Sequence, residues 1–115
     1  MPHQVSSEIR SCIDNCLECH TKCTETINHC LKKGNEHSDP KHINILLDCA
    51  QICQTSADFM LRTSNLHPKT CDVCAQACKN CAEDCEKIGK DDDLMKECAK
   101  ICWECAESCK KMAKH

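Results

Sequence analysis

A chain of 115 residues has room for one hydrophobic core and not two. Its two glycines and three prolines leave little turn chemistry, so most of it must lie in long elements. A formal net charge of −3 excludes the basic footprint that nucleic acid requires, and no apolar run is long enough to span a bilayer.

Sixteen cysteines in so short a chain reach the level of a secreted disulfide scaffold. Met1 to Arg10 nevertheless carry neither an apolar stretch nor a small-residue cleavage site, so no secretory signal is expected. A cytoplasmic protein follows as the expectation. Thiols stay reduced in that compartment, and many of them together point to metal before disulfides.

The first helix is expected over about 6–33, capped by Ser6 or Ser7 and stopped by Gly34, with a stripe of Ile9, Cys12, Cys16, Cys19, Cys23, Ile27 and Cys30. Asp39-Pro40 reads as a cap followed by a first-turn proline and opens a second helix over about 40–65. Its stripe is His42, Leu46, Cys49, Cys53, Ser56 and Met60. A second apolar line of Ile45, Ile52 and Phe59 suits either an oligomer interface or a wide buried face. His67-Pro68 introduces a third helix over about 68–88 that carries Cys71, Cys74, Cys78, Cys81 and Cys85 and stops at Gly89. Asp91 to Asp93 place acidic groups at the start of a fourth, about 91–113, which carries Cys98, Cys102, Cys105 and Cys109 and ends on Lys110 and Lys111.

Cysteines spaced four, three and four apart share one helical face, and this spacing recurs at Cys12 to Cys23, Cys74 to Cys85 and Cys98 to Cys109. The second helix begins the pattern and then substitutes Ser56 and Met60. Short connectors make neighbours antiparallel, so the fold expected is an all-α, up-down-up-down four-helix bundle, one domain over 1–115, with a cysteine-lined core. Antiparallel registration then stacks the stripes in layers: Cys23 with Cys49, Cys81 and Cys102; Cys19 with Cys53, Cys78 and Cys105; Cys16 with Ser56, Cys74 and Cys109. Beyond these lie Cys12, Met60, Cys71 and Met112 at one end. At the other come Ile27, Leu46, Cys85 and Cys98, then Cys30, His42, Ile88 and Met95 or Leu94.

The two ends are expected to differ. Met60, Met112, Cys12, Cys71 and His67 can all bind a soft metal, whereas Ile27, Leu46, Ile88 and Leu94 would form an apolar plug, so metal should enter at the first end. Met60 and Met112 also read as flexible core filling. His67 also reads as a pre-proline cap. His3, His20, His29, His37 and His115 read as solvated, and His42 is open between ligand and core.

Replacing the Leu and Ile of a bundle seam by Cys removes bulk at every layer, and each gap the size of a methyl costs about 1 kcal/mol. A core hollowed in this way needs an occupant. Thiolates select Cu(I), zinc or iron-sulfur clusters. A helical seam offers two or three sulfurs per ion, whereas structural zinc wants four in a tetrahedron brought together by turns. Charge balance agrees, because about one Cu(I) per thiolate leaves a neutral core, whereas zinc on four thiolates leaves about two negative charges per site.

The repeated Cys-x3-Cys-x2-Cys-x3-Cys from Cys12 to Cys109 resembles the bacterial copper storage proteins, in particular their cytosolic branch. The resemblance implies storage of many Cu(I) ions per monomer by all sixteen cysteines, with Met60, Met112 and His67 contributing near one mouth. It also implies a homotetramer, with copper detoxification or supply to copper enzymes as the role and a copper chaperone or exporter as exchange partner. The alternatives are a zinc- or cadmium-sequestering thiolate protein and a thiol redox protein, since Cys16/Cys19, Cys71/Cys74, Cys78/Cys81 and Cys102/Cys105 each match Cys-x-x-Cys. The redox reading lacks the βαβ context and a base beside most thiols. No nucleophile-base pair or phosphate loop is present, so an enzyme is not expected.

Overall fold

The computed structural model describes residues 6–115. These form α1 (Ser7–Lys33), α2 (Pro40–Leu61), α3 (His67–Ile88) and α4 (Asp93–Met112), with a 3₁₀ turn at Asn35–Ser38, and no strand among the described residues. Each helix packs on its sequence neighbours and α4 closes the ring on α1. The result is a rod of 51 × 19 × 19 Å whose axis is filled by the cysteine stripes.

The helix ends explain the register. Ser6 Oγ accepts the Ile9 N–H at 3.2 Å, and Gly34, at φ 77°, turns the chain out of α1 in a left-handed conformation that suits glycine. Asp39 stands at the N-cap of α2 but its side chain makes no capping bond; Pro40 supplies the stop and start instead. Asp92 caps α4, its Oδ1 accepting from Leu94 N–H at 3.1 Å and Met95 N–H at 3.2 Å.

One boundary departs from expectation. α2 ends at Leu61 and not near residue 65, because Thr63 adopts φ 54° and closes the helix, with Thr63 N–H donating to the Met60 carbonyl at 3.0 Å and Ser64 N–H to the Phe59 carbonyl at 2.9 Å. This is the Schellman arrangement with threonine where glycine is usual, which local sequence does not signal.

The second apolar line of α2 is half-buried at Ile45, Ile52 and Phe59, so it is neither a closed part of the core nor fully open. Leu47 and Leu61 on the same helix and Val73 on α3 are exposed.

Candidate metal centre

All sixteen cysteines are free and buried. The sulfurs of most of them crowd together along the bundle axis. Near its middle, Cys19 Sγ lies 3.7 Å from Cys49 and from Cys102 and 4.0 Å from Cys78 and Cys23. Cys53 Sγ lies 3.6 Å from Cys78, 3.7 Å from Cys74 and 3.9 Å from Cys105. Towards the end that holds the α1 N-terminus, Cys109 Sγ is 3.5 Å from Cys16 and 3.7 Å from Cys12. These are van der Waals or S–H···S separations, well beyond the S–S bond of a disulfide.

Four sets of four sulfurs are close enough to share an ion: Cys16, Cys74, Cys105 and Cys109; Cys19, Cys53, Cys78 and Cys105; Cys19, Cys23, Cys49 and Cys102; Cys23, Cys81, Cys98 and Cys102. Cys12, Cys71 and Cys109 make a fifth set of three. The second set is a layer expected from the register. The others mix sulfurs of adjacent layers, because i and i+4 sulfurs on one helix are as close as sulfurs facing across the axis. The gap at Ser56 is closed in this way. Cys105 joins Cys16, Cys74 and Cys109, while Ser56 Oγ bonds Cys71 Sγ at 3.3 Å.

Successive sets share sulfurs: Cys105 joins the first to the second, Cys19 the second to the third, Cys23 and Cys102 the third to the fourth. At most two of the four four-cysteine sets can therefore be filled without sharing a sulfur, for example the first with the third. Filling every set would require thiolates shared between neighbouring ions.

Thiols packed this closely also share protons. Cys16 is held below its ordinary value by its hydrogen bonding with Cys105 and Cys109, and Cys19 by that with Cys102 and Cys105. Cys102 rises in return through its bonds to Cys19 and Cys23, as does Cys109 through Cys105 and Cys12. A cation entering the column replaces such shared protons and relieves the burial of the thiolates it neutralises.

At the end near the α2–α3 connector, Met60 in the last turn of α2 and Met112 at the end of α4 are buried in the same core cluster as Cys12, Cys71 and Cys109. His67, half-buried on the first turn of α3, directs Nδ1 at the Ser64 carbonyl at 3.0 Å, so Nδ1 carries the hydrogen and Nε2 bears a lone pair. That Nε2 is buried without a hydrogen-bond partner.

The opposite end differs from expectation. Leu46 is buried, whereas Ile27 and Ile88 are half-buried against the core and Leu94 is half-buried, so they are not the innermost residues of this end. Its space is taken by Cys30, His42 and Met95, all at most 1% exposed. Local pattern placed Cys30 among the ligands; His42 and Met95 shared its layer, but only the tertiary packing sets their donor atoms against it. Burial pushes the Cys30 thiol up to about 11, with the Asp92 carboxylate and the neighbouring Cys98 and Cys81 adding to it.

Of the histidines expected in solvent, His20 and His29 make hydrogen bonds, and His37 is partly buried with no hydrogen-bond partner for its Nε2. His20 Nδ1 meets the Ala50 carbonyl at 2.7 Å and ties α1 to α2, and His29 Nε2 meets Asp92 Oδ2 at 2.7 Å. His37 Nε2 lies 3.5 Å from the same Asp92 oxygen, which Lys33 Nζ also reaches at 2.9 Å. Helix-face periodicity is blind to these cross-element contacts. His115 is exposed and pairs with Glu8 at 2.9 Å; His3 lies outside the described residues.

The family model described as "Copper storage protein" matches residues 5–114. The Nmul_A1745 protein from Nitrosospira multiformis is 44% identical, with 93% of this chain and 95% of that chain covered and a TM-score of 0.87. The Cu(I)-bound copper storage protein BsCsp3, a Bacillus protein, is 32% identical, with coverage of 93% and 99% and a TM-score of 0.85. A cytosolic copper storage protein from Streptomyces lividans, solved with five coppers, is 25% identical, with coverage of 94% and 93% and a TM-score of 0.81. The uncharacterized cysteine-rich protein YhjQ of Bacillus subtilis is 33% identical over 65 residues, which span 56% of this chain and 60% of that curated relative's length.

Proposed function

Because the chain belongs to the copper storage protein family, we propose that it stores many Cu(I) ions on the thiolates that line its core. The observation that carries this reading is the sharing of sulfurs between successive sets along one buried column. Closed-shell Cu(I) accepts two or three soft donors and tolerates bridging thiolates, whereas structural zinc calls for four ligands of its own. Continuous sharing thus favours copper over the zinc and cadmium alternatives. The redox alternative is weakened by burial, since a redox thiol has to be reached by its substrate.

Storage is the role that suits a column whose sixteen thiols are all buried. All sixteen cysteines act as ligands in this reading, and Met60, Met112 and His67 complete the coordination around Cys12, Cys71 and Cys109. The unpartnered Nε2 of His67 supports its part. Entry of metal at this end alone loses its ground, because the other end is not an apolar plug and carries donors too.

A cytosolic setting fits the reduced thiols and the Streptomyces lividans relative, and no helix of the described residues is long and apolar enough to cross a membrane. Assembly as a homotetramer is supported by the exposed Leu47 and Leu61 on α2 and Val73 on α3, the last lining with Ile52 and Ala77 a groove of about 460 Å³ that Asp48, Gln51, Gln76 and Asn80 also border. A copper chaperone or exporter is the exchange partner this role requires.

Anaerobic titration of the reduced protein with Cu(I) against a competing chelator, followed by a parallel zinc titration, tests the reading. The expected result is tight uptake of about a dozen copper ions or more per monomer, near one per thiolate, and zinc saturation at about two, the number of separate tetrathiolate sets available. Copper uptake that stops at about four and does not exceed that of zinc would overturn it.

A further inference from the structure

The run of cysteines on α2 breaks at Ser56, which is buried against the first turn of α3. Its Oγ lies 3.3 Å from Cys71 Sγ and 3.4 Å from Thr70 Oγ1. Thr70 Oγ1 in turn lies 3.1 Å from the His67 carbonyl. A carbonyl only accepts, so the single hydroxyl hydrogen of Thr70 is spent on it, and towards Ser56 the threonine is an acceptor.

The empty protein brings one hydrogen on each of Cys71, Ser56 and Thr70. With Thr70 committed to His67, every hydrogen finds a partner along the chain when Cys71 S–H donates to Ser56 Oγ and Ser56 O–H donates to Thr70 Oγ1. Copper changes the count at one end, because a cysteine that binds the ion is a thiolate with no hydrogen to give. Ser56 Oγ then loses its donor. A rotation about one bond takes its own hydrogen from Thr70 to the charged sulfur 3.3 Å away. A hydrogen bond to an ionised acceptor is about twice as strong as one between neutral groups, so this rotation is downhill only when Cys71 carries charge.

We infer that Ser56 is a positioning residue for copper at Cys71: its hydroxyl turns from Thr70 to the Cys71 thiolate when the ion binds, and so favours the loaded state over the empty one. This role rests on the copper reading above. Binding moves one proton from Cys71 to solvent, forms the copper–Sγ bond and leaves the metal as Cu(I), while Ser56 changes acceptor and keeps its proton.

The set that contains Cys71 has most need of such a bond. Cys12, Cys71 and Cys109 supply three thiolates from α1, α3 and α4, and the set meets the others only through Cys109, which it shares with Cys16, Cys74 and Cys105. One Cu(I) on three thiolates leaves negative charge unbalanced in a core where unpaired charge is costly. At this level α2 contributes a hydroxyl hydrogen, where a further cysteine would have added another negative charge. Packing alone does not account for the serine, since alanine would occupy the position with no polar atom to satisfy.

The test compares Ser56→Ala and Thr70→Val in the reduced full-length protein, loaded anaerobically with Cu(I) as its acetonitrile complex while a Cu(I) chelator competes. Cysteine labelled with ¹³C at Cβ lets the Cys71 resonance report the occupancy of its own site. Ser56→Ala removes a bond made in the loaded state and should lower affinity at Cys71 about tenfold, with total load unchanged. Thr70→Val removes an acceptor used only in the empty state and should raise that affinity or leave it as it is. A loss in both variants would assign the pair to packing and overturn the inference, as would an unchanged affinity in Ser56→Ala. Either result at full copper load spares the storage reading. A protein that loads only a few ions while Cys71 keeps the expected pattern upholds the role of Ser56 and overturns storage instead.

Discussion

Individual sulfurs in this core are not equivalent, and geometry ranks them. Cys19 belongs to two four-sulfur sets and lies within 4.0 Å of four other thiols, whereas Cys85 belongs to none of the sets. Replacing Cys19 by Ala should therefore remove more than the single ion expected from one thiolate, since both sets lose a bridging sulfur; Cys85→Ala should remove about one. Counting bound copper per monomer for the two variants checks this, and equal losses would mean that sulfurs act independently. The sixteen thiols and the facing of Cys19, Cys53, Cys78 and Cys105 were legible from spacing alone, because i, i+4, i+7 repeats leave only one face for them. The engagement of His20 and His29 was not, since each contact joins two elements and leaves no trace in either helix's own period. The layer of Cys30 and His42 was legible too, but not whether Met95 or Leu94 joins it, since a rotation of a few tens of degrees at a helix end decides which of the two faces the axis; the structure buries Met95 and leaves Leu94 half-buried.

At the scale of the helix, Asp92 is the residue that fastens the bundle end. It caps α4 and takes bonds from His29 and Lys33 of α1, while lying 7% exposed. Burial alone would raise its carboxyl, but the bonds from His29, Lys33 and the Met95 N–H outweigh it and hold the group well below the usual carboxylate range. A folded-state value below the unfolded one means that the carboxylate's contribution is complete above the unfolded value, near 4, and is lost as pH falls through the folded value. Asp92→Ala should thus lower apo-protein stability by about 0.5–2 kcal/mol at neutral pH and flatten its decline in acid. Melting temperature against pH for wild type and variant reads both effects, and parallel curves would assign Asp92 no part in the acid response. The helix starts at Ser6 and Pro40 were legible because Ser and Pro carry their own backbone chemistry. The end of α2 was not, because threonine at φ 54° obeys a tertiary demand that its own preference opposes.

For the whole molecule, a rod 51 Å long with its axis filled by thiols puts little apolar bulk where a bundle normally keeps Leu and Ile. The apo-protein's core gains from burial only what small side chains supply, and copper replaces shared protons with bonds that join all four helices. Ligands that bind only the folded state raise its stability by mass action, about 2.7 kcal/mol at a hundredfold excess over Kd for one site. Many sites acting together should raise the melting temperature progressively with copper load. Calorimetry at increasing copper per monomer checks this, and a melting temperature indifferent to copper would mean that metal sits outside the core.

The claim on which the account depends is that neighbouring ions share thiolates along one column. Copper K-edge X-ray absorption of the fully loaded protein tests it most directly. Shared thiolates hold copper ions next to one another, so a copper-copper scattering shell should appear beyond the sulfur shell and grow with loading. A sulfur shell alone at full load would contradict the account and leave isolated sites in its place.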